Sequence, residues 1–298
     1  MRVRIAPRDT MDHALSRRHL IAGLALAALA CPAQAASDLE EIERQHGMCI
    51  GAVMRGSDGR IHFAHRADER FRLCSTFKIF LAAEVYRQAA KDPHLLQRPV
   101  TIRDTDRLGN SPVTARQQDG GTLSAEMLCK AAVQYSDNSA ANYLLDLVGG
   151  PPAVTRLFRT LGDNISRLDR MEPALNLGTP EDLRDTTTPA AIARSLGTLL
   201  LTSTVLGDHQ RATLLGWMRN EQNGTRRIRA GVPRGWTVAN KPGTNDAGAV
   251  NDIAIIRPPS GGSFVLTVYT ASAENRVTQS ESVIAAIAGM AALKIPRR

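Results

Sequence analysis

Residues 236–270 read WTVANKPGTNDAGAVNDIAIIRPPSGGSFVLTVYT, a stretch of three apolar runs separated by short turns rich in Gly and Pro. The runs at 236–241, 251–257 and 263–270 have the length and the β-branched composition of strands. The sequence therefore predicts three consecutive strands near the C-terminal end of the chain.

Strand signals also occur near the N-terminus, and the region between the two ends is mainly helical. The predicted elements are, in chain order, a polar helix at 38–46, strands at 48–54 and 60–65, a helical region from 76 to about 215, and a closing apolar helix at 282–293. Within the helical region, Thr122 is predicted to cap one helix, and Thr188-Pro189 is an N-cap followed by proline at the first helical position. One sheet must therefore recruit both chain ends, with an all-helical lobe packed against it.

The composition is that of a folded domain without nucleic-acid-binding character. Of 298 residues, 43% are hydrophobic and 22% are charged, which allows one large domain or two interleaved lobes. The net charge is +8, but Lys and Arg are interleaved with Asp and Glu, and only six Phe, four Tyr and two Trp are present. Because nucleic-acid binding needs a basic stripe with stacking aromatic residues, we expect no nucleic-acid partner.

The N-terminus has the features of a secretory signal peptide. Arg17 and Arg18 precede an apolar run at 20–30, which leads to the small-x-small site Ala33-Gln34-Ala35. The run is too short to span a bilayer, so we expect no stable membrane anchor. Residues 1–35 are therefore predicted to be removed after Ala35, which gives a periplasmic or secreted protein. The Arg pair also fits a twin-arginine signal, and both export routes stay open.

Three cysteines remain after this cleavage, namely Cys49, Cys74 and Cys129. An odd number cannot form a complete disulfide framework, and the spacing fits no zinc motif. Small buried thiols are the favoured interpretation, and we expect no metal site.

Two short motifs lie in the helical region. Ser75-Thr76-Phe77-Lys78 is an S-x-x-K motif, in which a helix would place Ser75 and Lys78 on one face and bring the amine within reach of the hydroxyl. Chance gives about 0.3 such matches in this composition, so the motif alone is weak. Ser136-Asp137-Asn138 is expected only about 0.04 times by chance, although a helix-capping turn is its structural alternative.

A third motif, Lys241-Pro242-Gly243-Thr244, lies on a predicted strand. The three motifs in this order resemble those of the penicillin-recognising serine enzymes. The segment RMEPALN at 170–176 contains the pattern E-x-x-L-N and narrows the resemblance to the class A β-lactamases, over nearly all of the mature chain.

This resemblance implies an α/β (α+β) fold of two lobes, in which an antiparallel sheet is flanked by terminal helices and joined to an all-α lobe. The expected α/β lobe comprises 36–68 and 219–298, the all-α lobe comprises 69–218, and the active site lies between them. The resemblance also implies a monomer that hydrolyses the β-lactam amide bond of antibiotics without a cofactor.

The same resemblance assigns the catalytic residues. Ser75 would be the acylated nucleophile, with Lys78 within hydrogen-bond reach of it, and either Lys78 or Glu172 through a water would accept the serine proton. Ser136 would relay a proton to the departing ring nitrogen, assisted by Lys241. Glu172 would activate the water that releases the product.

It also assigns the residues that would bind substrate. Asn176 would help to hold the hydrolytic water, and Asn138 would hold the substrate's side-chain amide. The main-chain N–H groups of Ser75 and Thr244 would form the oxyanion hole. Arg227 would bind the substrate carboxylate alongside Thr244.

The loop that carries Glu172, residues 170–185, is expected to be closed by an ion pair between Arg170 and Asp185. Pro242 replaces the usual Thr or Ser, which removes a hydroxyl and an N–H and should weaken carboxylate binding. Asn110 replaces the usual aromatic residue at the rim of the cleft.

Two further departures concern cysteines. In carbapenem-hydrolysing relatives a cysteine at the position of Cys74 pairs with one just after the third motif, where this chain has Asn245. Cys129 likewise lacks its partner, because Ala82 occupies that position. We therefore expect no disulfide that involves either residue.

Two alternatives remain open at this point. A cell-wall D,D-peptidase or penicillin-binding protein shares the first two motifs, but lacks the Glu172 loop and stays acylated by penicillin. A non-catalytic β-lactam-binding homologue, disabled at Pro242, is the second alternative.

Overall fold

The computed structural model describes residues 32–179 and 181–295, with side chains from residue 38 onward. The arginine pair and the apolar run of the predicted signal peptide lie outside the described residues. The helices are α1 (Pro32–His46), α2 (Lys78–Ala89), α3 (Ala125–Gln134), α4 (Asn138–Val148), α5 (Pro151–Thr160), α6 (Pro189–Leu201), α7 (Asp208–Arg219), α8 (Ile228–Gly231) and α9 (Val277–Ala292). The strands are β1 (Met48–Gly56), β2 (Ile61–His65), β3 (Phe71–Arg72), β4 (Pro99–Thr101), β5 (Thr122–Ser124), β6 (Thr186–Thr187), β7 (Thr237–Thr244), β8 (Ala249–Arg257) and β9 (Phe264–Ser272).

The main sheet has five antiparallel strands in the order β2-β1-β9-β8-β7. The prediction that one sheet recruits both chain ends is confirmed, because β1 from the N-terminal part pairs with β9 from the C-terminal part. β7 is an edge strand, and its free edge runs beside the one-turn helix Cys74–Phe77 that leads into α2.

The two faces of the sheet are packed against different helices. Along β9, Leu266 and Val268 belong to a core shared with α1, α8 and α9, whereas Val265 and Tyr269 belong to a larger core shared with α2 to α7. This alternation follows from the two-residue period of a strand. The sheet is therefore buried on both faces, which explains why its strands read as continuous apolar runs.

Three details of the sequence-based prediction are wrong. Thr122 does not cap α3, because it lies in β5 and the hydroxyl of Ser124 accepts the hydrogen bond from the N–H of Met127. The region predicted as helical contains the short strands β4, β5 and β6, which are too brief to show a two-residue period. α9 begins five residues before the predicted start. Its first turns bury polar residues such as Ser280 and Glu281, so the apolar pattern used for the prediction does not include them.

Across the described ranges 32–179 and 181–295, no helix combines the length and the apolar character needed to cross a bilayer.

Candidate active site

The described part of the chain forms a cleft of about 810 Å³ between the free edge of β7, the turn before α4 and the Glu172 loop. Of the residues predicted for the site, seven line this cleft directly: Ser75, Asn110, Ser136, Asn138, Asn176, Arg227 and Thr244. Lys78, Glu172 and Lys241 each contact a residue that lines the cleft, and Arg170 pairs with Asp185 at the base of the Glu172 loop.

Ser75 lies in the one-turn helix Cys74–Phe77, directly before α2. Its turn is fixed by Thr76, whose hydroxyl contacts the carbonyl oxygen of Leu73 at 2.6 Å and the hydroxyl of Tyr269 at 3.0 Å. Burial raises the pKa of the Cys74 thiol to about 12, so this neighbour of Ser75 stays neutral at physiological pH. Cys74 is a free thiol, as are Cys49 and Cys129 in the described structure.

Lys78 begins α2, and its side chain is fully buried. Its amine nitrogen Nζ lies 2.8 Å from the main-chain oxygen of Ser136, 2.5 Å from Asn138 Oδ1 and 3.2 Å from Glu172 Oε1. Burial lowers the pKa of Lys78, and the negative charge of Glu172 opposes this shift.

Lys78 was expected within hydrogen-bond reach of the Ser75 hydroxyl, and in the described part of the chain its amine donates to other groups. Two N–H donors of the amine are taken by the Ser136 main-chain oxygen and by Asn138 Oδ1, and Glu172 Oε1 lies at ion-pair distance without forming a hydrogen bond.

The turn Ser136-Asp137-Asn138 both caps a helix and faces the cleft. Asp137 is the N-cap of α4 and accepts a hydrogen bond of 2.8 Å from the N–H of Ala140. Ser136 adopts a left-handed backbone conformation, with φ of 57°, and its Oγ accepts a hydrogen bond of 3.0 Å from Lys241 Nζ. The capping interpretation and the functional one are therefore compatible.

Lys241 lies on β7, and its side chain is fully buried. Burial lowers its pKa to about 7, with Lys78 and Arg227 acting in the same direction and the charges of Glu221 and Asp252 opposing it. Lys241 therefore changes charge near neutral pH while its Nζ contacts Ser136.

Glu172 is 4% exposed, and its main chain is clamped by Asn142 of α4. Asn142 accepts from the N–H of Glu172 and donates to its carbonyl oxygen, both at 2.9 Å. Asn176 donates from Nδ2 to Glu172 Oε2 at 2.6 Å. The other oxygens, Glu172 Oε1 and Asn176 Oδ1, are buried acceptors without a hydrogen-bond donor in the described structure. Buried polar atoms are normally satisfied, so this pair indicates a place where a donor binds.

The ion pair expected at the base of the Glu172 loop is formed. Arg170 Nε lies 2.6 Å from Asp185 Oδ2, and the Asp185 side chain is fully buried. Asp185 Oδ1 also accepts from the main-chain N–H groups of Asp169 and Arg170, at 2.7 and 3.0 Å.

Arg227 precedes α8, and its guanidinium is held against the end of β7. It donates to Thr244 Oγ1 at 2.7 Å and to the main-chain oxygens of Gly243 and Asn251 at 2.9 and 2.8 Å. Glu281 of α9 lies 3.3 Å from its Nε, so the cation is fixed from behind.

Three further positions of the predicted site, Pro242, Asn110 and Asn138, also lie at the cleft. Pro242 lies in the edge strand β7 and lines the cleft, a position at which a sheet tolerates a missing N–H. Asn110 donates from Nδ2 to the main-chain oxygen of Ser136 at 3.1 Å, so its amide faces the Ser136 turn. Asn138 donates from Nδ2 to the main-chain oxygen of Gly109 at 2.8 Å.

Two residues of the site were missed by the sequence analysis. Asn142 holds the main chain of Glu172, and its spacing of four residues from Asn138 along α4 places both on one helix face, a signal that could have identified it. Gly243 is the second, because a Cβ there would lie 3.1 Å from the main-chain nitrogen of Ser75. A side chain would crowd the space between β7 and Ser75, so glycine permits this close approach.

Comparisons with known proteins agree with this geometry. The profile of the "Beta-lactamase enzyme family" matches residues 34–294. Beta-lactamase Toho-1 of Escherichia coli is 41% identical over 250 residues, which are 84% of this chain and 85% of that protein. Beta-lactamase L2 of Stenotrophomonas maltophilia is 41% identical over 258 residues, which are 86% of this chain and 84% of that protein.

Solved structures give the same result. A β-lactamase from Desulfarculus baarsii superposes with a TM-score of 0.84 at 43% identity, covering 91% of this chain and 100% of that one. The L2 enzyme in complex with relebactam gives a TM-score of 0.83 at 41% identity, covering 88% and 96%. An ancestral class A β-lactamase gives 0.81 at 40% identity, covering 88% and 99%.

The chain therefore belongs to the β-lactamase enzyme family. Within that family it is a class A serine β-lactamase, and the fold predicted from the motifs is confirmed. These relatives give no support to a D,D-peptidase.

Proposed function

We propose that this protein hydrolyses the amide bond of β-lactam antibiotics through an acyl-enzyme on Ser75, which is released by a water that Glu172 activates. The observation that carries the proposal is a pair of buried acceptors that receive no hydrogen bond, Glu172 Oε1 and Asn176 Oδ1. Asn176 lines the same cleft as Ser75. A water bound there would donate to both oxygens and attack the acyl carbon, with Glu172 taking its proton.

Acylation begins when the Ser75 hydroxyl loses its proton to a base. The amine of Lys78 donates to the main-chain oxygen of Ser136 and to Asn138 Oδ1, and it lies 3.2 Å from Glu172 Oε1. Either this amine, whose pKa is lowered by burial, or Glu172 through the bound water would accept the serine proton, so that acylation keeps one route when the Glu172 loop is disturbed. Lys78 then stabilises the developing negative charge.

Two backbone groups would stabilise the oxyanion that forms as the ring carbonyl is attacked. They are the N–H of Ser75 and the N–H of Thr244. These two groups can lie close together because Gly243 has no side chain. Such donors typically contribute about 3 kcal/mol each in acyl-transfer enzymes.

The leaving ring nitrogen would receive its proton from Ser136. The Ser136 hydroxyl accepts a hydrogen bond from Lys241, so its own proton is free to point into the cleft. Arg227 and Thr244 would bind the substrate carboxylate, and Asn138 would bind the side-chain amide, with Asn110 at the rim. These substrates are anionic, in agreement with the buried basic side chains of Arg227, beside Thr244, and Lys241, beside Ser136.

The proposal is tested by multiple turnover of a chromogenic cephalosporin. We expect sustained hydrolysis by the wild type, complete loss with Ser75→Ala, and accumulation of one acyl group per protein with Glu172→Gln, measured by intact-protein mass spectrometry. A single stoichiometric burst by the wild type would instead indicate a D,D-peptidase or penicillin-binding protein. Binding without any covalent adduct would indicate a non-catalytic homologue.

The wider organisation predicted from the sequence is also part of the proposal. The interleaved division into 36–68 with 219–298, and 69–218, is supported by the two hydrophobic cores on opposite faces of the sheet. Export to the periplasm or medium with cleavage after Ala35, and a monomeric state, are tested by N-terminal sequencing of the exported protein and by its sedimentation coefficient.

A further inference from the structure

Asn245 follows the last residue of β7 and is 8% exposed, although its side chain is polar. Its Oδ1 accepts hydrogen bonds from the main-chain N–H groups of Ala247 and Ala249, at 3.1 and 2.8 Å. Its Nδ2 donates to the main-chain oxygen of Asn176, 3.0 Å away. If the amide were rotated by half a turn, its NH2 group would face the two main-chain N–H groups and its oxygen would face the carbonyl of Asn176. These three contacts therefore fix its orientation.

We propose that Asn245 is a positioning residue for deacylation, which ties the sheet to the part of the Glu172 loop that holds the hydrolytic water. This inference rests on the proposed function. Asn245 lines the cleft, and in this role it acts through the backbone of Asn176 and not on the reacting atoms.

The geometry of Asn176 explains why its backbone matters. Its side-chain amide donates to Glu172 Oε2 and presents the unpartnered Oδ1 toward the proposed water. The main-chain oxygen of the same residue is the group that Asn245 holds. A shift of this backbone therefore moves one of the two acceptors of the water, and errors of 1 Å in such positions can cost about 100-fold in rate.

The attachments of the loop come from different parts of the molecule. Asn142 of α4 clamps the main chain of Glu172, and the Arg170–Asp185 pair closes the base of the loop. Asn245 attaches the loop from the sheet side. Because the first two attachments persist without Asn245, we expect loss of this contact to misplace Asn176 while Glu172 stays clamped.

Two substitutions separate the contact from the stability of the turn. Asn245→Asp keeps an oxygen that accepts from Ala247 and Ala249, and replaces the donor by an oxygen that repels the carbonyl of Asn176. Asn245→Ala removes both contacts. Because the first variant adds a negative charge, the double variant Asn245→Asp with Asp246→Asn restores the net charge, and Asp246→Asn alone is the matched control. Asp246 is exposed and belongs to the same turn.

Acylation and deacylation are measured separately on the full mature enzyme, by stopped-flow absorbance with a chromogenic cephalosporin and by mass spectrometry of quenched samples. We expect both Asn245 variants to lower the deacylation rate about tenfold and to change acylation by less than about twofold, so that the acyl-enzyme accumulates. Because Asp246 also lines the cleft, the double variant is compared with Asp246→Asn alone and should deacylate about tenfold more slowly than that control. Equal slowing of both steps, or unchanged deacylation in Asn245→Asp, would overturn the positioning role.

A second background tests whether Asn245 acts through Asn176. In an enzyme that carries Asn176→Ala, the further change Asn245→Asp should lower deacylation by less than about twofold, because the acceptor it positions has been removed. A full tenfold additional loss would contradict the inference. Failure of the proposed function is recognised independently, since the wild type would then either form no adduct on Ser75 or keep the adduct after a single burst. An adduct with normal deacylation in the Asn245 variants would refute the positioning role alone.

Discussion

Replacement of Asp185 by alanine tests how the Glu172 loop is held closed. The change removes a fully buried carboxylate that binds Arg170 Nε at 2.6 Å and accepts two main-chain N–H groups. Those N–H groups and the Nε of Arg170 would then lose this acceptor. Asp185 does not line the cleft, so its effect on the reaction has to pass through the loop.

The expected loss of stability follows from the environment of the pair. Removal of one partner of a buried ion pair typically costs about 3–5 kcal/mol. Arg170 remains 19% exposed and keeps a hydrogen bond of 2.7 Å to the main-chain oxygen of Leu177, so we expect the lower end of that range. A loss of about 3 kcal/mol in a domain of this size corresponds to a fall in Tm of about 6–12 °C.

The kinetic effect is expected to be unequal between the two steps. Acylation uses Ser75 in the one-turn helix before α2, the backbone of β7, and Lys78 as one route for the serine proton, whereas deacylation needs both Glu172 and Asn176 in position. We therefore expect Asp185→Ala to lower the deacylation rate more than about tenfold while acylation changes by less than about threefold, as measured by stopped-flow absorbance and quenched mass spectrometry.

The isosteric variant Asp185→Asn serves as the control, because its amide oxygen can still accept from the main chain while the charge is lost. Its fall in Tm should be the smaller of the two. Equal slowing of acylation and deacylation by Asp185→Ala, or an unchanged Tm, would show that the pair does not hold the loop.

Three other predictions concern the rest of the molecule. Pro242→Thr should lower KM about tenfold with less change in kcat, because a hydrogen bond to a charged group contributes about 1.5 kcal/mol or more, and an unchanged or higher KM would refute this role. Because burial lowers the pKa of Lys241 to about 7, its positive charge is lost as the pH rises through that value. The kcat/KM of the wild type should therefore decline on the alkaline side, and Lys241→Arg should remove this limb; an identical profile in the variant would exclude Lys241 as its source. A thiol titration of the denatured, unreduced mature protein should give three thiols, whereas a count of one would demonstrate a disulfide.

Much of the site was predictable because the relevant residues lie in short motifs. The spacing of Ser75 and Lys78 requires only helical geometry, and both residues do begin one helical segment. The tripeptide that starts at Ser136 was predicted from its rarity, and its position beside Lys241 agrees with the assigned role. Local patterns of this kind need no knowledge of how distant segments pack.

The contacts of Lys78 show what the sequence does not contain. Its expected partner was the serine three residues away, but its amine binds oxygens from the turn before α4 and from the Glu172 loop. The number of acceptors that surround a buried ammonium is set by tertiary packing, and no periodicity of the chain records it. The same reasoning applies to Asn245, which the sequence analysis noted only as a missing cysteine.

The distribution of these contacts makes the two chemical steps differ in their sensitivity to mutation. The acylating groups are carried by α2, β7 and the capped turn before α4, which are buried and joined to the cores of the protein. The hydrolytic groups lie on a loop that is held by individual side chains, among them Asn142 from a helix, Asn245 from the sheet, Asp185 at its base and Arg72 of β3. Loss of any one attachment should leave a protein that still reacts with β-lactams but releases them slowly. Substitutions far from Ser75 are therefore expected to convert this enzyme toward a stably acylated penicillin-binding protein more readily than to an unreactive one.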